Sequence, residues 1–158
     1  MPYINHFTKQ YSKKKPTKRK TIAEKTTKDL IKVLDGLFSV YIRLNEADDN
    51  GYCTCVTCGK TYHYKEIHCG HFIGRANMAV RFDELNAAPQ CVRCNSFRSG
   101  EHHVYRIYLV NKYGKDAIEE LEHKAMMGGS FDHLWLQQKI IEYREKVKKL
   151  KDEKGYFL

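Results

Sequence analysis

Apolar positions recur with a helical period in two separated stretches of this chain. Leu30, Leu34, Leu37, Tyr41 and Leu44 fall at steps of four, three, four and three, which predicts one amphipathic helix over residues 28–47. Thr26 or Thr27 caps it, Asp29 sits favourably in its first turn, and the Asp48 to Gly51 cluster breaks it. Near the other end, Leu136, Ile140, Tyr143, Val147 and Leu150 repeat the same steps, so a helix begins near Ser130 to Asp132. Two helices lie before it. One runs from Ser99 to about Tyr113 and stops at Gly114; the next covers Lys115 to about Met126 and stops at Gly128-Gly129. The first and last stripes are expected to pack on each other.

Residues 52–95 break this rhythm. They hold all six cysteines and several glycines and show no helical period, so short strands and tight turns are expected there. The whole reads as α+β: a single domain over residues 28–158, with its core at 52–100 and helices on both sides.

Composition changes the picture in three ways. The chain has 158 residues, 42% hydrophobic and 30% charged, which suits one soluble domain. No apolar run approaches the ~18 residues of a membrane span, and no apolar signal stretch opens the chain, so the expected compartment is a reducing cytosol. The net charge of +9 is concentrated: residues 1–28 carry nine Lys/Arg against one acid, and the remainder is nearly balanced. Residues 1–27 therefore read as a basic, largely disordered arm, with Lys13, Lys14, Lys15, Lys18, Arg19 and Lys20 as phosphate contacts for nucleic acid. A merely solubilising tail is the plain alternative. A membrane surface fits less well, because the arm has no apolar face.

Cys55-Val-Thr-Cys58 and Cys91-Val-Arg-Cys94 are two C-x-x-C pairs. In a reducing compartment they predict a closed, structural zinc site of four thiolates rather than disulfides. Thirty-two residues separate the pairs, well beyond the ~15–20 of a simple ribbon, so something is inserted between the knuckles. Cys53 and Cys69 fall outside the pairs and read as small buried thiols.

From the first knuckle onward the chain carries Cys55-x-x-Cys58-Gly59, Gly70-His71-Phe72, Arg81-Phe82-Asp83-Glu84-x-Asn86, Gln90-Cys91-x-x-Cys94-Asn95, Phe97-Arg98-Ser99-Gly100 and Tyr105-Arg106. Over residues 28–150 this pattern resembles the NinG (Rap) recombination proteins of lambda-like bacteriophages, within the HNH nucleases. The resemblance implies a zinc-stapled ββα-metal core and a metal-dependent DNA endonuclease in the cytoplasm of the infected host. Its implied substrates are branched recombination intermediates, Holliday junctions or D-loops. A homodimer would suit paired cuts.

Residue chemistry agrees on several roles. His71 is the expected general base, since a neutral imidazole accepts a proton near physiological pH. Gly70 beside it is expected to let a phosphate approach. The resemblance assigns Asn86 to orienting the His71 strand. Asn95 comes directly after a zinc cysteine, faces away from that ion, and offers an oxygen to Mg²⁺ or Mn²⁺. The family motif carries an Asp or His directly before the catalytic His; here that place is Gly70, so His68 is the expected further ligand, ahead of Asp83. His102 and His103, two helical turns past Asn95, read as ordinary surface or core residues first and as phosphate contacts second, whereas Arg75 and Arg98 suit phosphate contact. Arg81 and Arg93 would either do the same or pair with Asp83 and Glu84.

The remaining histidines read as ordinary surface or core residues. The rival reading is a non-catalytic zinc module that binds DNA or a protein partner, with His71 and both asparagines as scaffold. An RNA-directed nuclease is a third class, with Tyr62, Tyr64 and Phe72 either stacking bases or packing a core.

Overall fold

In a computed structural model, the structure describes residues 21–156. Helix α1 spans Thr27–Asn45, and Thr26 closes a reciprocal capping box with Asp29. Two short antiparallel ladders come next: β1 (Tyr52–Thr54) with β2 (Thr61–His63), and β3 (His68–His71) with β4 (Ala87–Gln90). Helices α2 (His102–Tyr113), α3 (Lys115–Met127) and α4 (His133–Glu153) complete the α+β chain, with Asp132 capping α4 through the Trp135 N–H.

Helices α1 and α4 pack on each other. The buried α1 face is Leu30, Leu34, Phe38 and Ile42, which meets Leu136, Ile140 and Tyr143 of α4. Leu37 and Tyr41, expected at the centre of the α1 stripe, lie on its flank and are only partly buried. The i, i+4 row won because α1 also has to bury Phe38 against Phe82 and the β3–β4 ladder.

The chain enters α1 earlier than the expected arm boundary at residue 27. Thr21 to Lys25 form a turn, Ile22 packs on the α1/α4 core, and the Lys25 carbonyl bonds to His133.

Helix α2 does not start at Ser99. Residues Arg93–Phe97 form a wide π turn, and Ser99, Gly100 and Glu101 then take φ of 51°, 85° and 50°. That left-handed run cannot continue a right-handed helix, so α2 begins anew at His102. His102 and His103 are therefore not two turns along one helix from Asn95.

Strand alternation gives the β3–β4 ladder two faces. The paired residues Cys69/Pro89 and His71/Ala87 share one, and His68/Gln90 and Gly70/Ala88 share the other. Cys69 and Ala87 pack on the α1/α4 core, whereas Ala88 packs with Tyr105, Leu109, Ile118 and Leu121 of the α2–α3 hairpin. A third cluster joins the end of α1, through Leu44 and Ala47, to the cysteine turns, Tyr64 and Ile67.

Truncating Ile140 to Ala removes a fully buried branch from the α1–α4 seam. Urea denaturation should show a loss of about 2–5 kcal/mol in stability with an unchanged m-value. A loss under about 0.5 kcal/mol would contradict this packing.

Candidate functional site

Two C-x-x-C turns meet at one point. The sulfurs of Cys55, Cys58, Cys91 and Cys94 all lie within 4.8 Å of one another, and Cys58 Sγ is 3.8 Å from Cys91 Sγ. A tetrahedral zinc with Zn–S bonds of about 2.3 Å places its sulfurs about 3.8 Å apart, so this set can hold a metal such as zinc. Burial pushes the Cys55 thiol up. Hydrogen bonds from the Cys91 N–H, the Thr57 hydroxyl and nearby backbone amides outweigh it and bring Cys55 down to about 6. Burial and the neighbouring sulfurs push Cys94 up to about 12. Four thiolates this close repel one another unless a cation sits among them.

Cys53 and Cys69 stay outside this cluster. Cys53 is buried with its thiol donating to the Arg43 carbonyl, and burial raises both thiols, Cys53 to about 11 and Cys69 to about 12. Both remain protonated at neutral pH, as small buried thiols do. Tyr64 and Phe72 are core residues, 8% and 7% exposed, so they offer no stacking platform.

A cleft of about 470 Å³ opens beside the cysteine cluster. It is lined by Ser39 and Arg43 of α1, Lys65 to Cys69, His71, Gly74, Arg75 and Asn95. Three of the expected site residues, His68, His71 and Asn95, thus share one cleft with Arg75. The π turn explains Asn95: Cys94 points into the cysteine cluster while Asn95 reaches across to His68, Nδ2 donating to Nδ1 at 3.1 Å. The β3–β4 register runs without a bulge, so no kink is needed to bring His68 there.

His71 sits under the α1 face, its ring 5.8 Å from Phe38. Its Nε2 lies 3.0 Å from the Arg81 carbonyl. A carbonyl only accepts, so Nε2 carries the proton and Nδ1 keeps its lone pair. Burial is the main cause that holds the His71 pKa below its ordinary value, so the imidazole is neutral at pH 7. Arg81 is itself fixed by a bidentate pair with Asp35, at 2.9 and 2.6 Å. Asp35 thus positions His71 through Arg81, a link the sequence hides because 46 residues separate the two charges.

Asn86 is fully buried and acts as a clamp. Its Oδ1 accepts from the Ile73 N–H at 2.7 Å, and its Nδ2 donates to the Ile73 and Val80 carbonyls at 2.9 Å each. It fixes the chain just after β3.

Several expectations are corrected. Gly70 lies on the opposite face from His71, where Gln90 fills the space beside it, so it gives no phosphate access. A Cβ there would sit 2.4 Å from Gln90 Oε1 and 2.8 Å from Gln90 Cβ. Gln90 donates to the Gly100 carbonyl at 2.7 Å, and its buried Oε1 lacks an N–H or O–H partner and faces the Gly70 Cα–H instead. Asp83 is no cleft ligand: it pairs with Lys124 and caps the Glu84–Asn86 turn. Arg98 pairs with Glu101 and does not line the cleft. Arg81 pairs with Asp35 rather than Asp83 or Glu84, and Glu84 instead accepts from Tyr41, Tyr143 and Lys146. Lys13, Lys14, Lys15, Lys18, Arg19 and Lys20 lie outside the described residues.

Sequence reasoning missed Arg43, Lys65 and Glu66. Arg43 donates to the Tyr64 and Ile67 carbonyls and to Ser39, which sets its guanidinium into the cleft wall. Its partial burial and helical position look like packing in sequence, so no local signal marks it. Glu66 is the one carboxylate lining the cleft, against Arg43, Lys65 and Arg75. The cleft is therefore net cationic.

Fold and site together define a small α+β protein built around a four-cysteine metal knuckle, with no helix among the described residues long and apolar enough to cross a membrane. The chain belongs to the NinG family of lambda-like phages, whose model, Bacteriophage Lambda NinG protein, matches residues 5–153. It is 31% identical over 132 residues to Protein ninG of Salmonella phage P22, covering 79% of this chain and 59% of that relative. It is 28% identical over 130 residues to Protein ninG of Escherichia phage lambda, again covering 79% of this chain and 59% of the relative. The chain thus spans about 60% of the length of the curated relatives it matches. No solved structure matches it.

This geometry is open to two tests. Cys58→Ser, or a strong chelator, should remove the metal and lower the melting temperature by about 10 °C or more, as losing several kcal/mol of binding energy implies. Unchanged melting with zero zinc by elemental analysis would contradict the site. Gly70→Ala should cost about 1–3 kcal/mol by overpacking, and less in a Gln90→Ala background. Strict additivity in that double-mutant cycle would show that Gln90 is not what Gly70 accommodates.

Proposed function

We propose that this protein is a metal-dependent DNA endonuclease whose β3, β4 and π-turn–α2 segment form an HNH-like ββα core on the zinc frame. The observation that carries this reading is His71: buried, neutral, with Nε2 committed to Arg81 and a free Nδ1 lone pair in a cationic cleft.

In this mechanism a phosphodiester enters the cleft between Arg43 and Arg75, whose guanidinium groups hold its non-bridging oxygens. Water beside His71 gives its proton to Nδ1 as its oxygen attacks phosphorus, the P–O bond to the leaving sugar oxygen breaks, and solvent returns a proton there. The Arg81 carbonyl stabilises the imidazolium through Nε2–H, and Asn86 keeps the β3 end in place. His68, the Asn95 carboxamide oxygen and Glu66, which line the cleft, would hold a Mn²⁺ or Mg²⁺ ion through mixed nitrogen and oxygen donors. Such an ion would stabilise charge on the scissile phosphate and the leaving oxygen. Family membership supports phage recombination as the setting, with Holliday junctions or D-loops as substrates and a homodimer for paired cuts.

One observation favours a second reading. The four cysteines are the one grouping of three or more His, Cys, Asp or Glu ligands among the described residues, so the cleft holds no second preassembled cluster. A zinc-stapled DNA- or partner-binding accessory protein needs none.

Cleavage of a synthetic four-way junction and a matched duplex, with Mg²⁺, with Mn²⁺ and with chelator, separates the two readings. Metal-dependent cutting should fall about 10²–10⁴-fold in His71→Ala while zinc content and fold persist. Binding without cutting in either metal would instead establish the accessory role. The pH profile carries a sign as well: His71 is depressed below 6.5, so cutting should be level above that value and fall as pH drops through the lower, folded-state pKa. A limb that rises only above about pH 8 would remove His71 as the base.

A further inference from the structure

Phe97 is the most exposed large apolar side chain among the described residues, at 82%. It belongs to the π turn, two residues after Asn95, which lines the cationic cleft. Leaving a phenyl ring in water is unfavourable, and nothing in the described chain covers it.

The backbone that presents the ring is held firmly. Asn95 N–H bonds to Cys91, Arg98 N–H to Arg93 and Gly100 N–H to Cys94, the last at 2.9 Å. Gln90 pins the Gly100 carbonyl from below, and Cys94 ties the turn to the cysteine cluster. Ser99 and Glu101, neither of them glycine, are both left-handed at φ of 51° and 50°, a conformation that disfavours any Cβ. Strain and an exposed ring therefore coincide on one rigid turn beside the proposed reaction centre.

Its surroundings select the occupant. Arg93, Ser96, Arg98 and Ser99 are all exposed around Phe97, and the nearby carboxylate, Glu101, is engaged by Arg98. A protein interface calls for a contiguous apolar patch, whereas here only Val92, at 40% exposure, adds apolar surface on this segment. An isolated aromatic ring beside two exposed serines and an exposed arginine, Arg93, unpaired among the described residues, suits a nucleobase. A base inside intact duplex is already stacked on both faces, so the partner is a base freed at a branch point.

We propose that Phe97 stacks on an unpaired base within a base step or two of the phosphate held in the cleft that Asn95 lines, and so makes this protein selective for branched over linear DNA. This inference rests on the nuclease reading for the position of the phosphate, while its own signal is read in binding, without cutting.

The test uses the full, zinc-loaded chain in chelator too weak to strip the thiolates, with a four-way junction carrying 2-aminopurine at the crossover and a linear duplex carrying it internally. Wild type should raise the junction fluorescence several-fold as the base leaves its neighbours and leave the duplex signal flat. Phe97→Ala should abolish the rise and weaken junction binding about tenfold, bringing it toward the duplex value. Phe97→Trp should restore affinity and quench the rise. An unchanged signal and junction-to-duplex ratio in Phe97→Ala would overturn the proposal, even if wild type cuts DNA. Loss of self-association in sedimentation, with the fluorescence rise intact, would overturn it in favour of a dimer contact. A Phe97-dependent rise in a protein that never cuts would keep the stacking role and reject the nuclease.

Discussion

Four thiols within 4.8 Å of one another constrain this protein more than any apolar contact does. Strands β1 and β2 have three residues each, too little surface to hold a register by burial. The cysteine cluster supplies what they lack. It joins the turn after β1 to the turn after β4, and the Val56 N–H bonds directly to the Pro89 carbonyl at the β4 edge. Fixing Cys94 fixes the π turn, and the π turn places Asn95 at the cleft and leaves Phe97 exposed. A cysteine cluster outside the proposed reaction centre thereby sets the position of the groups proposed to carry the chemistry.

The β3–β4 ladder divides labour by strand alternation. Its α1 face carries His71, whose proton location is settled by the Arg81 carbonyl and, behind it, by Asp35 of α1. Its α2 face carries Gly70 and Gln90, packed so closely that no side chain fits at residue 70, with Tyr105 donating to the Gly70 carbonyl. The glycine that precedes His71 therefore serves packing, which explains why that position carries no side chain. The side chains proposed to hold a cation there are His68, on the other face and earlier in β3, and Glu66 of the cleft wall.

Charge obeys the same logic. Several cations among the described residues are paired locally: Lys124 with Asp83, Arg106 with Glu122, Lys146 with Glu84 and Glu142. The cleft keeps Arg43, Lys65 and Arg75 against a single carboxylate, so its field favours an anion over its surroundings. Exposed pairs of this kind add little stability. Their consequence here is where positive potential remains.

Periodicity in the sequence located all four helices, because amphipathic stripes and caps such as Thr26, Asp132 and Gly114 are local signals. Spacing alone gave the four cysteines that meet in one cluster able to hold a metal and set Cys53 and Cys69 apart, since a C-x-x-C turn needs no distant partner to be recognised. His71, Asn86, Asn95 and His68 were also legible as candidates. Their arrangement was not. Which face Gly70 occupies depends on pairing with Ala88, and which carboxylate holds Arg81 depends on α1 passing over a loop 46 residues later in the chain. The break at Ser99–Glu101, the burial of Phe38 in place of Leu37, and the entry of Arg43 into the cleft were decided in the same way. Each is a competition among neighbours that are distant in sequence, and only the folded chain brings those competitors together.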